Sequence, residues 1–423
     1  MLTKTGGSIL LAHNPPKWVN FARRFTRKAI IAAFEHRLTV LAGYAGSGKT
    51  TSLKGVCDVA ERFNRRPILM ALSGRAAQRM SESTGRRAMT VARYLAGVKD
   101  GSVAPGPDTI LIVDEASMID LPMLWRIVRS LGDASLMLVG DPAQLPPIGF
   151  GLTFHVLADD DTTPKTVLDR VMRQSAESGI PAVAEAIRSG ACPALARFDG
   201  KADGVSFIAC DAEAAFDEIH KIGARLRVDG VARDDMQIVA PVKAGVAGIE
   251  AINRRFHNLR VEARRNAARF FPGRSGVAEG DPIIWTRNDY ERGLMNGSLG
   301  RIETVDGNDV RAVIDGARVA LGPLDGEMID LSYAISVHKS QGSQWPVVIV
   351  PLFRSRILDR TLVYTAVTRA ASQVVLVGDR DAFERAIKSP PNALLREVTL
   401  GARMSALTEA GGVAMSSDRV GQL

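Results

Sequence analysis

The chain has 423 residues, of which 46% are hydrophobic and 24% are charged, and its net charge is +8. These values exclude a disordered, collagen-like or coiled-coil protein, predict two to four domains, and are compatible with a polyanionic partner. The three cysteines lie far apart, and no apolar run reaches the ~20 residues of a membrane-spanning helix. We therefore predict a soluble cytoplasmic protein without disulfides, structural zinc or a membrane partner.

The first half of the chain predicts alternating strands and helices. Short β-rich runs are separated by helical patterns, such as the one after Thr50, as expected for buried parallel strands joined by crossover helices. A second series of strands follows Met236, so we predict two α/β domains, at 1–170 and at 171–275 together with 331–400. The predicted strands are 38–43, 67–72, 109–114, 135–140, 236–241, 347–352 and 373–378.

Between Gly276 and Leu331 the pattern changes to short strands separated by turn dipeptides. Such dipeptides favour tight hairpins, so we predict a small antiparallel barrel at 276–330, inserted in the second α/β domain. Trp285 is expected to pack inside this barrel, whereas Tyr290 could pack there or stack on a base. The turn dipeptides are Asn296-Gly297, Asp306-Gly307 and Asp315-Gly316.

Two further segments depart from the α/β pattern. The Gly- and Pro-containing stretch at 95–108 interrupts the first domain, and we predict a loop or a short hairpin there. After residue 400 the apolar periodicity is low and small residues are frequent, so 401–423 is expected to be a flexible tail.

The sequence GYAGSGKT, at 43–50, follows a predicted strand and precedes a predicted helix. It fits G-x-x-x-x-G-K-[ST], in which backbone N–H groups and a helix N-terminus surround phosphate oxygens. We predict that Lys49 contacts the β- and γ-phosphates and that the Thr50 hydroxyl binds Mg²⁺. The predicted nucleotide-binding residues are Gly43, Ala45, Gly46, Ser47, Gly48, Lys49, Thr50 and Thr51.

An acidic pair follows another predicted strand, in LIVDEAS at 111–117. We predict that Asp114, at the carboxyl end of the strand, holds the metal through its water shell. Glu115 can then orient and deprotonate the attacking water, because in-line hydrolysis needs a nucleophile opposite the leaving group. An acidic pair alone is more often a solvated surface, but next to a phosphate loop it predicts hydrolysis of a nucleoside triphosphate.

Three more residues distinguish a motor from kinases, GTPases and transporters that share the phosphate loop. Gln144, in GDPAQLPPIG, has an uncharged side chain suited to contacting a γ-phosphate, and Arg173 lies in MRQ. Arg369, in YTAVTRA, directly precedes the last predicted strand of the second α/β domain. An arginine supplied by another domain stabilises charge on the transferred phosphoryl group and so links hydrolysis to domain closure.

Seven segments occur in the order of the superfamily 1 helicase motifs, over roughly residues 25–379. They are GYAGSGKT, LSGRAAQR, TILIVDEASM, GDPAQLPPIG, LDRVMRQ, YAISVHKSQGSQW and LVYTAVTRA. The sequence most resembles the RecD-like branch (superfamily 1B), which includes the compact Dda-type helicases of bacteriophages. The resemblance implies two RecA-like domains with ATP and Mg²⁺ between them, a pin hairpin in the first and an SH3-like insertion in the second. It also implies 5′-to-3′ translocation on single-stranded DNA with duplex unwinding, in a bacterial cytoplasm or, for a phage-encoded protein, that of the host.

Residue roles follow from the resemblance position by position. Gln144, Arg173 and Arg369 would contact the γ-phosphate, with Arg369 as the arginine finger, and Glu115 would be the catalytic base. The segments at 72–75 and HKSQGS would face the DNA backbone. The implied DNA contacts are Ser73, Arg75, Thr90, Arg93, His338, Lys339 and Ser340.

One departure leaves the base preference of the enzyme open. Relatives usually carry a glutamine upstream of the phosphate loop that contacts adenine, but no glutamine here precedes Gln78, and Arg27 and Lys28 occupy the expected region.

The main hypothesis is an ATP-driven DNA helicase that acts as a monomer on single-stranded and forked DNA. Single-strand binding protein or a polymerase are candidate partners in replication, recombination or repair. An RNA helicase, a translocase that does not unwind, an ATP-switched clamp or loader, and the motor fragment of a conjugative relaxase are the alternatives.

Overall fold

In the computed structural model of the chain, two parallel sheets and one antiparallel sheet carry the strands of the described residues. The structure describes residues 17–169, 179–264, 276–289, 291–306, 309–396 and 398–410. Predicted residues Arg173 and Tyr290 lie outside these ranges. None of the described helices is both long enough and apolar enough to span a lipid bilayer.

The first unit is a six-stranded sheet with helices on both faces. Its strands are β1 (Leu38–Gly43), β2 (Arg66–Ala71), β3 (Ala88–Thr90), β4 (Thr109–Asp114), β5 (Ser135–Gly140) and β6 (Lys165–Leu168). Its helices are α1 (Lys17–Glu35), α2 (Lys49–Arg62), α3 (Gly74–Thr84), α4 (Val91–Lys99), α5 (Leu121–Arg129) and α6 (Thr153–Asp159).

All strand pairs of the first unit are parallel, in the order β3-β2-β4-β5-β1-β6. Successive side chains point to opposite faces, so Leu111 and Val113 join the apolar cluster on one face while Ile110 and Ile112 join the other. Because β1, β5 and β4 are parallel neighbours, their carboxyl ends meet at one edge of the sheet.

The second unit repeats this architecture. Its strands are β7 (Ala196–Arg197), β8 (Gly204–Ala209), β9 (Met236–Ala240), β15 (Ala334–Ser336), β16 (Trp345–Leu352) and β17 (Ala370–Gly378). Its helices are α7 (Ile180–Ser189), α8 (Ala215–Val228), α9 (Ile249–Arg264), α10 (Arg360–Val367) and α11 (Arg380–Lys388). The strands pair in parallel in the order β15-β9-β16-β17-β8-β7, so the predicted α/β class with parallel sheets is confirmed.

The insertion between α9 and β15 is an antiparallel sheet in the order β13-β12-β11-β10-β14. Its strands are β10 (Pro282–Trp285), β11 (Leu299–Asp306), β12 (Asp309–Ile314), β13 (Ala317–Leu321) and β14 (Ile329–Leu331). Trp285 is fully buried in the core of this sheet, as predicted. Closure into an SH3-like barrel stays a prediction, as do the predicted domain boundaries.

The turn predictions had mixed outcomes. Asp315 and Gly316 both have positive φ, 47° and 83°, and connect β12 to β13 as a two-residue hairpin. Asn296-Gly297 instead belongs to the longer connection between β10 and β11, where Gly297 donates its N–H to the Trp285 carbonyl. Asp306 pairs with Asp309 across residues that the structure does not describe.

Of the two alternatives predicted for 95–108, the hairpin that would serve as a pin was wrong, and a loop forms only at 100–108. Residues 95–99 complete α4, and the described residues 100–108 contain no strand. Apolar side chains recur at helical spacing from Val91 through Tyr94, Leu95 and Val98, and Thr90 caps the helix, so this segment packs as a helix on the first unit.

The prediction of a flexible tail from residue 401 was also wrong for its first ten residues. They belong to α12 (Thr399–Ala410), which lies against α6 and places Met404 on the apolar cluster of the first unit. Residues 411–423 lie outside the described residues.

Candidate nucleotide and nucleic-acid site

The loop between β1 and α2 forms a cradle of the kind that binds phosphate. Gly46 and Gly48 have positive φ, 74° and 88°, and Gly48 precedes the first residue of α2. A Cβ on Gly43 would lie 2.5 Å from Ser47 Oγ, so only glycine fits there. The Lys49 ammonium donates to the carbonyls of Gly43 and Tyr44, at 2.6 and 3.1 Å. The predicted nucleotide-binding residues all lie in this loop or the first turn of α2, at 43 and 45–51.

The acidic pair lies at the same edge of the first sheet. Asp114 ends β4, and its Oδ1 accepts the backbone N–H of Glu115 at 2.8 Å. Burial and the charge of Glu115 raise the pKa of Asp114 to about 6. Glu115 has φ 54°, a left-handed conformation that a non-glycine residue adopts at an energetic cost. Such strain is typical of residues whose side chain is held in one functional direction.

Oxygen donors suitable for Mg²⁺ are present where the sequence predicts them. Thr50 lies in the first turn of α2, and Asp114 lies at the end of the parallel strand β4. Hydroxyl and carboxylate oxygens are hard donors, and Mg²⁺ is commonly held by one or two such groups together with substrate phosphates. These residues therefore fit the ion that the resemblance implies.

Arg369 lies two residues after the end of α10 of the second unit and is 5% exposed. Its guanidinium donates to the carbonyls of Thr365 and Ser343, at 3.1 and 3.4 Å, and to the Thr368 hydroxyl at 3.4 Å. Within the described residues, these hydrogen bonds go to carbonyl and hydroxyl oxygens and none goes to a carboxylate. Burial lowers the pKa of Arg369, while the charge of Glu115 opposes that shift. Burying a cation without an anion costs free energy, and an anionic ligand would lower that cost by pairing with the guanidinium.

Gln144 is buried beside the same cleft. Its Nε2 donates to Asp141 Oδ2 at 3.4 Å, but its Oε1 has no hydrogen-bond partner in the described part of the chain. Buried polar atoms without partners cost free energy, and a bound ligand can supply the missing bonds. Other side chains of the motif segments that bear such atoms are Ser47, Ser117, Gln341 and Ser343.

The phosphate loop also contacts the second unit through residues that sequence reasoning missed. The Tyr364 hydroxyl accepts the Ala45 N–H at 3.2 Å and donates to Asp141 Oδ2 at 2.9 Å. The Arg188 guanidinium of α7 lies over the Tyr44 ring. Tyr364 lies within LVYTAVTRA, so the motif gave a signal for its position but not for its partners. The sequence gives no signal for Arg188.

The predicted DNA contacts of the first unit lie where α3 and α4 begin. Ser73 caps α3, since its Oγ accepts the Ala76 N–H at 3.2 Å, and the Arg75 guanidinium lies 5.8 Å from the Trp345 ring centroid. Thr90 caps α4 by accepting the Arg93 N–H at 3.1 Å, and the side chain of Arg93 is exposed. The structure thus gives Ser73 and Thr90 local capping roles, and their DNA contacts stay predictions.

Two cavities separate these residues from the insertion. Thr90 and Arg93 line a cleft of about 320 Å³ together with Met295 of the insertion. Arg75 lines a larger cavity of about 830 Å³ between the second unit and the insertion. The other arginines of the larger cavity are Arg227, Arg233, Arg260 and Arg301. Acidic residues line the same cavity, and Arg301 and Arg260 are ion-paired with Asp234 and Asp281, so its charge is mixed.

The HKSQGS segment divides into exposed and buried residues. Lys339 is exposed, and its ammonium lies 3.3 Å from the Asp330 carboxylate. His338 is partly buried, and burial lowers its pKa, which favours the neutral imidazole. Ser340 is fully buried and its hydroxyl donates to the Val337 carbonyl at 2.7 Å, so its contact with DNA stays a prediction.

Comparison with known families finds two matches along the chain. Residues 27–207 match the family described as an AAA domain. Residues 331–377 match the family described as a UvrD-like helicase C-terminal domain. The first match contains the phosphate loop, the acidic pair and Gln144, and the second contains HKSQGS and Arg369.

Curated relatives extend the similarity over most of the chain. The ATP-dependent RecD2 DNA helicase of Deinococcus radiodurans is 34% identical over 82% of this chain and 48% of its own length. The RecD subunit of the RecBCD enzyme of Mycolicibacterium smegmatis is 31% identical over 86% of this chain and 72% of its own length. The chain thus spans about half of the first relative and nearly three quarters of the second.

Solved structures share the fold. A Pif1 helicase from a study of DNA unwinding at forked duplexes has a TM-score of 0.57 at 18% identity, covering 92% of this chain and 97% of its own. A Bacteroides Pif1 helicase in complex with ADP-AlF3 and single-stranded DNA has a TM-score of 0.55 at 18% identity, covering 91% and 97%. At this identity the likeness shows the arrangement of elements, including two RecA-type α/β units.

Proposed function

Because this chain belongs to the RecD-like superfamily 1B DNA helicases, we propose that it is an ATP-dependent DNA helicase. It translocates 5′ to 3′ on single-stranded DNA and separates duplex DNA ahead of it. The observation that carries the proposal is Arg369, a buried guanidinium whose hydrogen bonds within the described residues go to carbonyls and a hydroxyl. It follows α10, and α10 contacts the phosphate loop of the other unit through Tyr364.

Hydrolysis uses groups from both units. The Lys49 ammonium exchanges its two loop carbonyls for phosphate oxygens of ATP. Glu115 orients a water molecule and accepts its proton as the water oxygen attacks the γ-phosphorus, and the bond to the β-phosphate oxygen breaks to leave ADP. Thr50 and Asp114 would hold Mg²⁺, and the bound ion would neutralise charge on the phosphate oxygens. Gln144 and Arg369 contact the γ-phosphate, and Arg369 stabilises the charge that develops on it.

Movement follows from the division of the site between two units. ATP draws Arg369 towards the phosphate loop, and release of products removes the anion that holds the units together. The DNA-facing residues Arg75 and Arg93 belong to the first unit, and His338 and Lys339 belong to the second. Alternate grip by these two sets on the phosphates of one strand converts closure and opening into steps along it.

The proposal is tested by unwinding of two matched duplexes, one with a 5′ single-stranded tail and one with a 3′ tail. We expect ATP-dependent unwinding of the 5′-tailed duplex only, and hydrolysis stimulated more by single-stranded DNA than by RNA. Glu115→Gln should keep DNA binding but lower hydrolysis by at least about 10²-fold, as loss of a general base does.

Each contrary result identifies another function. Unwinding from the 3′ tail contradicts the polarity, and stronger stimulation by RNA indicates an RNA helicase. Hydrolysis without strand separation indicates a translocase. Nucleotide-dependent release of DNA that survives in Glu115→Gln indicates a clamp or loader, in which ATP acts as a switch.

A further inference from the structure

Tyr364 is the residue through which α10 is bonded to the phosphate loop. The side chain is 2% exposed, and its hydroxyl makes two hydrogen bonds across the cleft. It accepts the N–H of Ala45, the third residue of the loop, at 3.2 Å, and donates to Asp141 Oδ2 at 2.9 Å. One atom of the second unit therefore contacts two phosphate-facing segments of the first.

The Asp141 carboxylate depends on this hydroxyl. Asp141 is fully buried, and its oxygens accept the Ala143 N–H at 2.9 Å, the Gln144 amide at 3.4 Å and the Tyr364 hydroxyl. Burial raises the pKa of Asp141, and these hydrogen bonds and the charge of Lys49 act against that shift. The Gln144 amide and the Tyr364 hydroxyl both donate to Asp141 Oδ2. The position of Tyr364 therefore also affects the position of Gln144, the predicted γ-phosphate contact.

Tyr364 and Arg369 are carried by the same rigid segment. α10 is buried from Thr361 to Val367, and the Thr365 hydroxyl accepts the Leu145 N–H at 3.0 Å, which adds a second bond between the helix and the first unit. The Arg369 Nε donates to the Thr365 carbonyl, so the finger is tied to the turn of the helix that follows Tyr364. A displacement of the phenol from the loop would displace Arg369 with it.

We propose that Tyr364 is a positioning residue that sets α10, and through it Arg369, against the phosphate loop. The inference rests on the proposed ATP hydrolysis and assigns to Tyr364 a role distinct from binding the nucleotide. Its loss should therefore reduce transition-state stabilisation by Arg369 more than it reduces ATP binding. In kinetic terms, kcat falls while KM stays close to that of the wild type.

The experiment compares Tyr364→Phe with Tyr94→Phe in the full chain. Tyr94 is an equally buried tyrosine of the first unit whose hydroxyl donates to the Ser130 carbonyl at 3.3 Å, away from the phosphate loop. Both variants lose one buried hydroxyl, so a general effect on stability is common to them. The measurements are kcat and KM of DNA-stimulated ATP hydrolysis, the thermal unfolding midpoint, and the affinity for a fluorescent ADP analogue.

We expect kcat of Tyr364→Phe to fall about ten-fold, the effect of losing a hydrogen bond to a charged group, with KM within two-fold of the wild type. Tyr94→Phe should keep the wild-type kcat. Combining Tyr364→Phe with Arg369→Ala should lower kcat no further than Arg369→Ala alone, because Tyr364 acts through the arginine. A residue that merely stabilised the fold would give additive losses.

Three results would overturn the inference. They are equal kcat values for Tyr364→Phe and Tyr94→Phe, a ten-fold further loss on the Arg369→Ala background, or a rise in KM at constant kcat. The last would make Tyr364 a nucleotide-binding residue. Should Tyr364→Phe unfold at the assay temperature, the same comparison is made with Thr365→Val, which removes the adjacent bond to Leu145 and should lower kcat in the same way. Failure of the proposed function is distinguished from these results, because the wild type itself would then show no DNA-stimulated hydrolysis.

Discussion

The guanidinium of Arg188 lies over the ring of Tyr44, with its Cζ 3.9 Å from the ring centroid. Tyr44 is the second residue of the phosphate loop, and Arg188 lies near the end of α7 in the other unit. Glu185 accepts two hydrogen bonds from the same guanidinium and so fixes its plane. The contact is a cation–π pair that joins the units beside the site of hydrolysis.

We predict that Arg188→Ala lowers DNA-stimulated hydrolysis of ATP by about five-fold, the equivalent of about 1 kcal/mol for a cation–π pair. The loss of the contact allows the units to separate and so reduces the time that Arg369 spends near the phosphate loop. Arg225→Ala is the matched control. Arg225 lies in α8, not in α7, and forms its ion pair with Asp229 at the end of the same helix. Equal rates for Arg188→Ala and the wild type would contradict the prediction.

Features encoded by neighbouring residues could be predicted from the sequence. Seven of the twelve strands of the parallel sheets, the phosphate loop at 43–51 and the hairpin at Asp315-Gly316 each depend on a few consecutive side chains and their backbone preferences. The shorter strands β3, β6, β7 and β15, and β8, were not predicted. The helix at 91–99 was missed because Gly and Pro further along the segment outweighed a short helical pattern that starts at a Thr cap. Local sequence thus predicts local structure where its signals agree.

Contacts between distant residues could not be predicted in this way. Ala45 and Tyr364 are 319 positions apart, and their hydrogen bond depends on how two separately folded sheets pack. The exposure of a side chain also depends on tertiary structure. Serine is a residue type suited to contacting DNA, but Ser340 is buried by the turn that contains it. Motif order placed these residues in the correct segments, whereas their partners required the tertiary structure.

A glycine at the start of α3 permits the insertion to approach the first unit. A Cβ built on Gly74 would lie 2.1 Å from Met295 Cβ, which is closer than any atoms can pack. We predict that Gly74→Ala displaces the insertion, widens the cleft that contains Arg93, and weakens binding of single-stranded DNA by about ten-fold, in the range of overpacking effects. Fluorescence anisotropy with labelled DNA measures this affinity.

Two further variants test the cause of that effect. Adding Met295→Gly to Gly74→Ala removes the atom that clashes and should restore the affinity. Gly401→Ala, in α12, is the control, because the nearest atom to its added Cβ is Val156 Cγ1 at 3.6 Å, an ordinary van der Waals contact. Unchanged binding by Gly74→Ala would show that contact between Gly74 and Met295 has no part in DNA binding.

Two variants can distinguish the role of Thr90 in stability from the predicted role of Arg93 in DNA binding. The Thr90 hydroxyl is engaged as the cap of α4, so Thr90→Ala should lower the free energy of unfolding by about 1 kcal/mol, and Thr90→Ser should restore it. Arg93 is exposed, so Arg93→Ala should leave stability unchanged and reduce the salt dependence of DNA affinity by about one ion. Thermal unfolding and binding titrations at several salt concentrations measure the two effects. A loss of DNA affinity in Thr90→Ala, measured where the variant is fully folded, would instead indicate a direct contact by the hydroxyl.

Stability below neutral pH should depend on His155, in α6. Burial lowers the pKa of His155 from its ordinary 6.5 to about 4. The unfolded chain therefore binds a proton at this residue over a pH range in which the folded chain does not, and the free energy of unfolding decreases as the pH falls from about 6.5 towards 4. Between pH 7 and pH 5 this contribution is about 2 kcal/mol.

His155→Gln removes the titrating group, so between pH 7 and pH 5 its free energy of unfolding should fall about 2 kcal/mol less than that of the wild type. Chemical denaturation at the two pH values measures the difference. His36→Gln, at an exposed histidine, is the control for the substitution itself. The same fall in the His155→Gln variant as in the wild type would mean that the imidazole binds its proton equally readily in the folded and the unfolded chain. The apolar packing of α6 against the first sheet would then tolerate a charge, contrary to the burial of its neighbours Phe154 and Leu157.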